Sequence, residues 1–344
     1  MKLCILGDTH FGIHNDNVFF QEYQYNFFKN ILIPYLLRNN INEVIHLGDL
    51  FDRRKYINFL SLNLGKKVID MFISNGIFIH LIVGNHDSYY KSDGSITSSK
   101  LIFDHYEYDG RMKIYDKPEH VIIAGKTFLM VPWIYPSKME ETIEIIKSST
   151  AEVCCGHFEM NGVPYQGDVI SKSGLKKSLF SHFDTVFSGH FHKPSEYYVG
   201  SPYQTTWAGY EDKKRIAIYD TESRKTEYKH LSDPIYKIIV YDGSDVDISD
   251  DELSNKIIKV IVNNKDNPYH YEKFVEKIEL CEPSKITIKN EYLYLDSIVD
   301  ENVSNKDTLT ILLEYVDDIP DIRKGDSIVL KEILSKIYNR AKSK

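Results

Sequence analysis

The 344 residues offer little for a covalent or membrane-bound architecture. Only four cysteines occur, Cys4, Cys154, Cys155 and Cys281, without a Cys-x-x-Cys spacing, which excludes a disulfide framework and a thiolate zinc site. Cys154 and Cys155 lie inside an apolar run, so the thiols read as buried hydrophobes. No apolar stretch reaches the roughly eighteen residues of a bilayer span, and the N-terminus lacks a basic segment followed by an apolar signal core. A cytoplasmic location without a membrane partner is therefore expected. Solenoid periods and low-complexity tracts are also missing. So is basic charge: the net charge of -8 argues against a nucleic-acid coat, because phosphate neutralisation needs clustered Lys and Arg. It leaves room for a nuclease whose carboxylates hold metal.

What is present is a chain large enough for a sizeable core plus smaller appendages, with one phrase repeated along its first two hundred residues. An apolar run leads into glycine and then into a residue able to bind metal. Lys2 to Leu6 lead into Gly7, Asp8 and His10; Glu43 to Leu47 into Gly48 and Asp49; Ile77 to Val83 into Gly84, Asn85, His86 and Asp87. Glu152 to Cys155 lead into Gly156 and His157, and Thr185 to Ser188 into Gly189, His190 and His192. Each run has the length and composition of a buried strand, and glycine marks a turn or a close approach.

Helices are expected between these strands. One starts at Asp16 as cap and runs through Phe20, Tyr23, Phe27 and Ile31 until Pro34 bends or ends it. Another spans Phe59 to Ile73, and Ser137-Lys138-Met139-Glu140 has capping-box form ahead of Ile143 and Ile146. The alternation predicts a layered α/β domain with its site at the strand ends, over residues 1–229. Pro234 to Tyr241, Lys256 to Val262 and Lys285 to Lys289 read as strands and Pro268 to Leu280 as a helix, giving a small α/β unit over residues 230–295. Residues 296–344 read as an acidic connector, Asp296 to Asp300, and two helices. The first carries Leu309, Leu312, Leu313 and Val316; the second, capped by Asp326, carries Leu330, Ile333, Leu334, Ile337, Tyr338 and Ala341 in one stripe.

Asp8 and His10 stand two apart, as do His190 and His192, so on extended backbone each pair projects to one side and could grip one ion. Asp49 is the natural bridge between two cations, Asn85 offers an amide oxygen and His157 another imidazole. Such mixed ligands suit Mn²⁺, Fe²⁺ or Zn²⁺ better than an all-oxygen Mg²⁺ site. Any one of these residues alone reads as a turn or surface residue. Their conjunction at five strand ends is what points to a two-metal phosphodiester site.

The order Gly7-Asp8-Thr9-His10, Gly48-Asp49-Leu50-Phe51-Asp52, Gly84-Asn85-His86-Asp87, Gly156-His157 and Gly189-His190-Phe191-His192 resembles the calcineurin-like metallophosphoesterase superfamily. With Arg53-Arg54-Lys55, Val131-Pro132-Trp133 and Gly200-Ser201-Pro202-Tyr203, it resembles the SbcD family of nuclease subunits, in its phage branch, over nearly the whole chain. The resemblance implies a calcineurin-like layered-sheet α/β domain, a small capping domain that binds DNA, and C-terminal helices that bind an SbcC-type coiled-coil ATPase. It implies two divalent ions, Mn²⁺ foremost, one held by Asp8, His10, Asp49 and His192 and the other by Asp49, Asn85, His157 and His190. His86 would be the catalytic histidine and Asp87 would orient its imidazole, unless Asp87 is a turn cap. Asp52 stands where some relatives carry a second functional histidine, so that histidine's exonuclease role does not transfer. The expected activity is exonuclease and endonuclease cleavage of double- and single-stranded DNA in break processing and recombination, by a homodimer in the cytoplasm, that of the host for a viral chain. Arg53, Arg54 and Lys55 follow the metal loop closely enough to grip phosphates. Lys172, Lys176 and Lys177 read as solvated. Two other functions share these residues: a phosphatase or cyclic-nucleotide phosphodiesterase on the same scaffold, and a decayed, non-catalytic one.

Overall fold

Twelve strands build the larger part of the computed structural model, which describes residues 1–167, 169–244, 246, 250–290, 313, 316 and 324–342. They are β1 (Lys2–Leu6), β2 (Glu43–His46), β3 (Phe78–Ile82), β4 (Met112–Tyr115), β5 (Glu119–Ile123) and β6 (Lys126–Val131), followed by β7 (Val153–His157), β8 (Pro164–Gln166), β9 (Val169–Ile170), β10 (Thr185–Gly189), β11 (Ile216–Asp220) and β12 (Lys225–Lys229). One sheet has the order β12-β11-β1-β2-β3-β4, and a second β10-β7-β6-β5. The strands β1 to β4 are mutually parallel, as are β10, β7 and β6, so each group's C-terminal ends share one edge.

Side-chain alternation along β1 assigns the layers. Leu3 and Ile5 pack with Ile45, Ile82, Phe128, Met130, Cys155 and Phe187 between the two sheets. Cys4 and Leu6 face the other way, onto Phe27, Phe28, Leu32, Val68 and Phe72 of the outer helices. Beyond the second sheet, Leu129, Val131 and Cys154 pack with Ile146 of helix Met139–Ser148. The product is a helix–sheet–sheet–helix sandwich, the layered α/β class expected, with all four cysteines buried and outside any disulfide.

The helices depart from expectation at their ends. Asn17, not Asp16, caps helix Val18–Asn26 by accepting from Phe19 N at 3.0 Å. The Asp16 carboxylate instead accepts from Ser61 Oγ at 2.5 Å. Pro34 does not end the helix: a π-helical segment, Phe27–Leu32, precedes it, and Pro34 falls in the first turn of Ile33–Arg38. There the missing N–H is tolerated. Asn58 caps Phe59–Ser74 by accepting from Leu60 N at 2.9 Å. The Ser137 capping box does not form, because a short 3-10 turn, Pro136–Lys138, occupies the entry and Ser137 Oγ donates to Ser92 O.

The second, smaller unit is a parallel sheet of β13 (Tyr236–Tyr241), β14 (Ile257–Val262) and β15 (Lys285–Asn290). Tyr271, Phe274 and Ile278 of helix Pro268–Leu280 cover Ile239, Ile258 and Val260. Gln204 ties it to the first unit by accepting from Ile235 N at 2.8 Å and Tyr236 N at 3.1 Å. Ile13 and Phe20 pack beside Ile235, Tyr236 and Ile257 at the same seam. A last helix spans Lys324–Lys342, with Asp326 inside it and not at its cap. The connector Asp296 to Asp300, Leu309 and Leu312 lie outside the described residues. Among the described residues no helix is long and apolar enough to cross a membrane.

Candidate metal centre

Parallel strands deliver their ends to one edge, and there the five glycine-led loops meet. The approach is close: a Cβ on Gly84 would lie 2.2 Å from Asp49 Oδ1, and one on Gly7 would lie 2.0 Å from Gly200 O. His10 (φ 48°), Asp49 (φ 52°) and His190 (φ 85°) all adopt positive φ. The extended backbone expected for the Asp-x-His and His-x-His pairs therefore does not occur, although Asp8 and His10 still converge on one cluster. Tight turns, not strand periodicity, aim these side chains.

Two clusters result. Asp8, His10 and His192 form one, with His10 Nε2 2.9 Å from His192 Nε2 and His192 Nε2 3.5 Å from Asp8 Oδ2. Asp49, His157 and His190 form the other, completed by Asn85, whose Oδ1 lies 2.9 Å from His157 Nε2 and 2.8 Å from His190 Nδ1. Asp49 Oδ2 stands between them, 3.7 Å from His10 Nε2 and 3.4 Å from His157 Nε2. His190 and His192 are divided between the clusters, so they do not act as one pair.

The donor chemistry fits two cations. His157 Nδ1 donates to Leu47 O at 2.7 Å, so in the neutral ring Nε2 is an acceptor aimed at two other acceptors, Asn85 Oδ1 and Asp49 Oδ2. Converging acceptors need a cation or a proton between them. His10 Nδ1 is buried, with the Asp52 carboxylate oxygen Oδ1 3.3 Å away. Burial opposes charge on His157, but the Asp49 carboxylate beside it pushes its pKa up to about 9. Burial raises Asp8 to about 6, with Asp49 adding and His157 opposing. Burial also opposes charge on Asp49, yet the His157, His10 and His86 rings hold it well below the usual carboxylate range. Burial and the His157 charge hold His190 down to about 3, and burial with the His10 and Lys214 charges holds His192 well below the ordinary imidazole value. Those two rings are thus neutral, as ligands must be.

His86 lies beside the first cluster, its ring centroid 4.9 Å from that of His10. Its backbone N–H donates to Asp49 Oδ1 at 2.7 Å and its Nδ1 makes a very short contact with Asp52 O. Burial lowers its pKa, with Asp49 opposing. His10, Asp52 and His86 also form a third group of converging ligand atoms. The Asp87 carboxylate makes no described bond to the His86 ring. Fully buried, it accepts from Asp49 N at 2.9 Å, Leu50 N at 3.0 Å and Gly84 N at 2.8 Å. Adjacent side chains diverge here, and Asp87 pins the two loops to each other.

Several supports were not anticipated. His46 is buried at the end of β2, accepts from Gly48 N at Nδ1 (3.2 Å) and contacts Thr9 Oγ1 at Nε2 (3.1 Å), while Thr9 Oγ1 donates to Leu50 O. A histidine within an apolar strand was its visible signal. Thr205 Oγ1 lies 3.2 Å from His192 Nδ1, and the buried Lys214 ammonium donates to His192 O at 2.7 Å. The Trp133 ring covers the second cluster, 5.0 Å from His190. Arg53 is already engaged, donating to Tyr56 Oη at 2.6 Å and Asn15 Oδ1 at 2.5 Å, whereas Arg54 is half-buried and Lys55 exposed.

The calcineurin-like phosphoesterase family profile matches residues 1–194. Exonuclease subunit 1 of Enterobacteria phage T4 is 30% identical over 347 residues, covering 99% of each chain. Among solved structures, an archaeal phosphodiesterase aligns over 67% of this chain and 100% of its own at 19% identity and a TM-score of 0.36. A protein of unknown function from Aquifex aeolicus aligns over 44% of this chain and 76% of its own, at 19% identity and a TM-score of 0.28. Five ligand-bearing strand ends in the family's order, a profile match across most of the sandwich and full-length identity to the phage protein agree: the chain belongs to the calcineurin-like phosphoesterases.

Proposed function

We propose that the chain is the nuclease subunit of a DNA break-processing and recombination complex, cleaving DNA phosphodiesters with two divalent ions, Mn²⁺ foremost. The observation that carries this is the pair of clusters that meet at Asp49, with His86 beside them. Asp8, His10, Asp49 and His192 would hold one ion, and Asp49, Asn85, His157 and His190 the other. Bound there, the ions would supply positive charge at the phosphate and acidify an attacking water. The chain's own residues do the rest. Asp87 fixes the spacing of the loops carrying Asp49 and Asn85 through the backbone amides of Asp49, Leu50 and Gly84. His86, neutral and held at Nδ1 by Asp52 O, keeps Nε2 for taking up and returning a proton.

The 30% identity along the whole chain to the phage exonuclease subunit supports DNA as substrate; cleavage of both double and single strands is part of the proposal. That the relative is named a subunit supports assembly in a complex; the resemblance to the SbcD family makes the proposed partner an SbcC-type coiled-coil ATPase bound by residues 296–344, and gives residues 230–295 a capping role in DNA binding. Phe59, 87% exposed at the start of its helix beside Leu60, supports assembly as a homodimer. End-labelled duplex and single strand are incubated with Mn²⁺ or Mg²⁺, with and without chelator and the cognate ATPase, beside bis-nitrophenyl phosphate. Metal-dependent DNA cleavage stimulated by the ATPase is expected. Hydrolysis of the small diester with no cut DNA would replace this reading with a phosphodiesterase of small substrates.

A further inference from the structure

Beside the centre lies open space that two of the ligand residues, His190 and His192, border. A cleft of about 400 Å³ opens next to His190 and His192, with Tyr165, Phe191 and Lys193 in its wall. A second, of about 760 Å³, continues it past Lys193, Ala208 and Asp212 toward Trp207, Lys213 and Lys259 at the seam with the smaller unit. Both volumes fall in the ~300–1,000 Å³ range of sites for small ligands, the size of a nucleotide or a few.

The wall is unusual in two ways. The β8–β9 hairpin leaves apolar groups in water: Tyr165 is 39% exposed, Val169 52% and Ile170 55%. It is docked onto the ligand loop by the Tyr165 ring at 5.5 Å from Phe191, and by Lys193 Nζ donating to Gly167 O. An aromatic face is thereby held beside the centre without being buried. The charge also runs against the chain's net of -8. Lys214 pairs with Asp212, Arg215 is spent on the carbonyls of Ser195 and Tyr198, and Lys193 gives one of its three donors to Gly167 O, so among the described lining residues the Lys193, Lys213 and Lys259 ammonium groups stand against the Glu211 carboxylate. Lys259 Nζ sits 4.1 Å above the Trp207 ring, so cation and aromatic alternate along the path.

An exposed ring, Tyr165, and a half-buried one, Trp207, set among ammonium groups along a cleft offer what a single-stranded nucleic acid requires, a π-face for a base and cations for phosphates. We infer that this cleft binds single-stranded DNA, with a base on Tyr165 and phosphates on Lys193, Lys213 and Lys259, and leads the strand to His190 and His192. The inference rests on the nuclease reading and adds the path that the strand follows.

The test measures anisotropy of a fluorescein-labelled oligo-dT and of a blunt duplex, both with chelator so that neither is cut. Tyr165→Ala and Tyr165→Leu should weaken oligo-dT about 5- to 100-fold, the range of one base–aromatic stack, while Tyr165→Phe restores it and duplex binding changes less. Lys213→Ser, at an exposed position, should lower the slope of log K against log salt by about 0.7. Wild-type affinity for oligo-dT in Tyr165→Ala together with an unchanged salt slope in Lys213→Ser overturns the cleft assignment, as does an equal loss on duplex and single strand. Should the wild type itself neither bind nor cut DNA, the nuclease reading fails first.

Discussion

His86 and Asp87 are neighbours in sequence with opposite surroundings, and the difference separates chemistry from framework. His86 keeps a ring nitrogen at the mouth of the site, while Asp87 is wholly enclosed by backbone amides. Replacing His86 by Gln should therefore cut phosphodiester cleavage by about 10²- to 10⁴-fold, the usual contribution of a general acid or base, with both ions retained in metal analysis. Loss of one ion would instead assign His86 to the group of His10 and Asp52. His157 supports a second prediction, of opposite character. Its metal-free pKa of about 9 lies above the ordinary 6.5, so the bound proton stabilises the metal-free fold fully below 6.5 and ceases to do so as pH rises through 9. An ion must displace that proton. Affinity for Mn²⁺ should then rise with pH by up to about tenfold per unit between 6.5 and 9 and level off above. Calorimetry in two buffers of different ionisation enthalpy should register proton release; a buffer-independent heat and a flat affinity would contradict the assignment.

At the scale of elements, the strand ends are packed tightly enough that glycine is a steric requirement. Gly7 has no unusual φ, but its Cβ would overlap Gly200 O, so Gly7→Ala must displace backbone at two ligand loops. Gly76, by contrast, has φ +70° and open space around it. Gly7→Ala should cost about 1–3 kcal/mol or more, as overpacking does, and reduce metal content. Gly76→Ala should cost ~1–2 kcal/mol from its left-handed backbone alone and leave metal content intact. Thermal melting paired with metal analysis distinguishes them, and equal metal content in both would show that the loops are looser than described. The same packing explains what was legible in the sequence. Parallel strands β1, β2, β3, β7 and β10 are buried on both faces, so each reads as an apolar run stopped by glycine. Strands β5 and β12, at sheet edges, expose alternate residues and carry no such signal, and β11 pairs with β1 from more than two hundred residues away. Helix caps misled for another reason. Asp16 and Ser137 have the right chemistry, but Ser61 and Ser92 offer them tertiary partners that no local pattern contains. Candidate ligands were legible as residue types, whereas their partition into two clusters depends on positive-φ turns at His10, Asp49 and His190.

On the scale of the whole molecule, burial is uneven among the described residues, and the unevenness makes the proposed partner testable. The sandwich and the smaller unit each enclose their own core, whereas helix Lys324–Lys342 leaves Ile328 exposed and Ile333 47% exposed. Leu330 and Leu334 of the same stripe are only half-buried. Lys331 and Lys336 flank a shallow crevice that Leu313 and Ile328 also line. An amphipathic helix whose apolar stripe is incompletely covered by its own chain gains most by laying that stripe in another protein's groove, or against another helix. The coiled-coil root of the proposed ATPase supplies such a helix. Removing residues 324–344 leaves the buried Val316 in place and takes away no residue of either core. The shortened protein should melt within a few degrees of the full chain and retain Mn²⁺-dependent cleavage of DNA. It should lose co-elution with the ATPase and all ATP stimulation. Two intermediate substitutions sharpen the reading: Ile333→Asp, at an exposed apolar position, should weaken the complex, whereas Lys336→Gln, at an exposed polar one, should not. Unchanged co-elution of both the truncated chain and Ile333→Asp would move the ATPase contact to another surface.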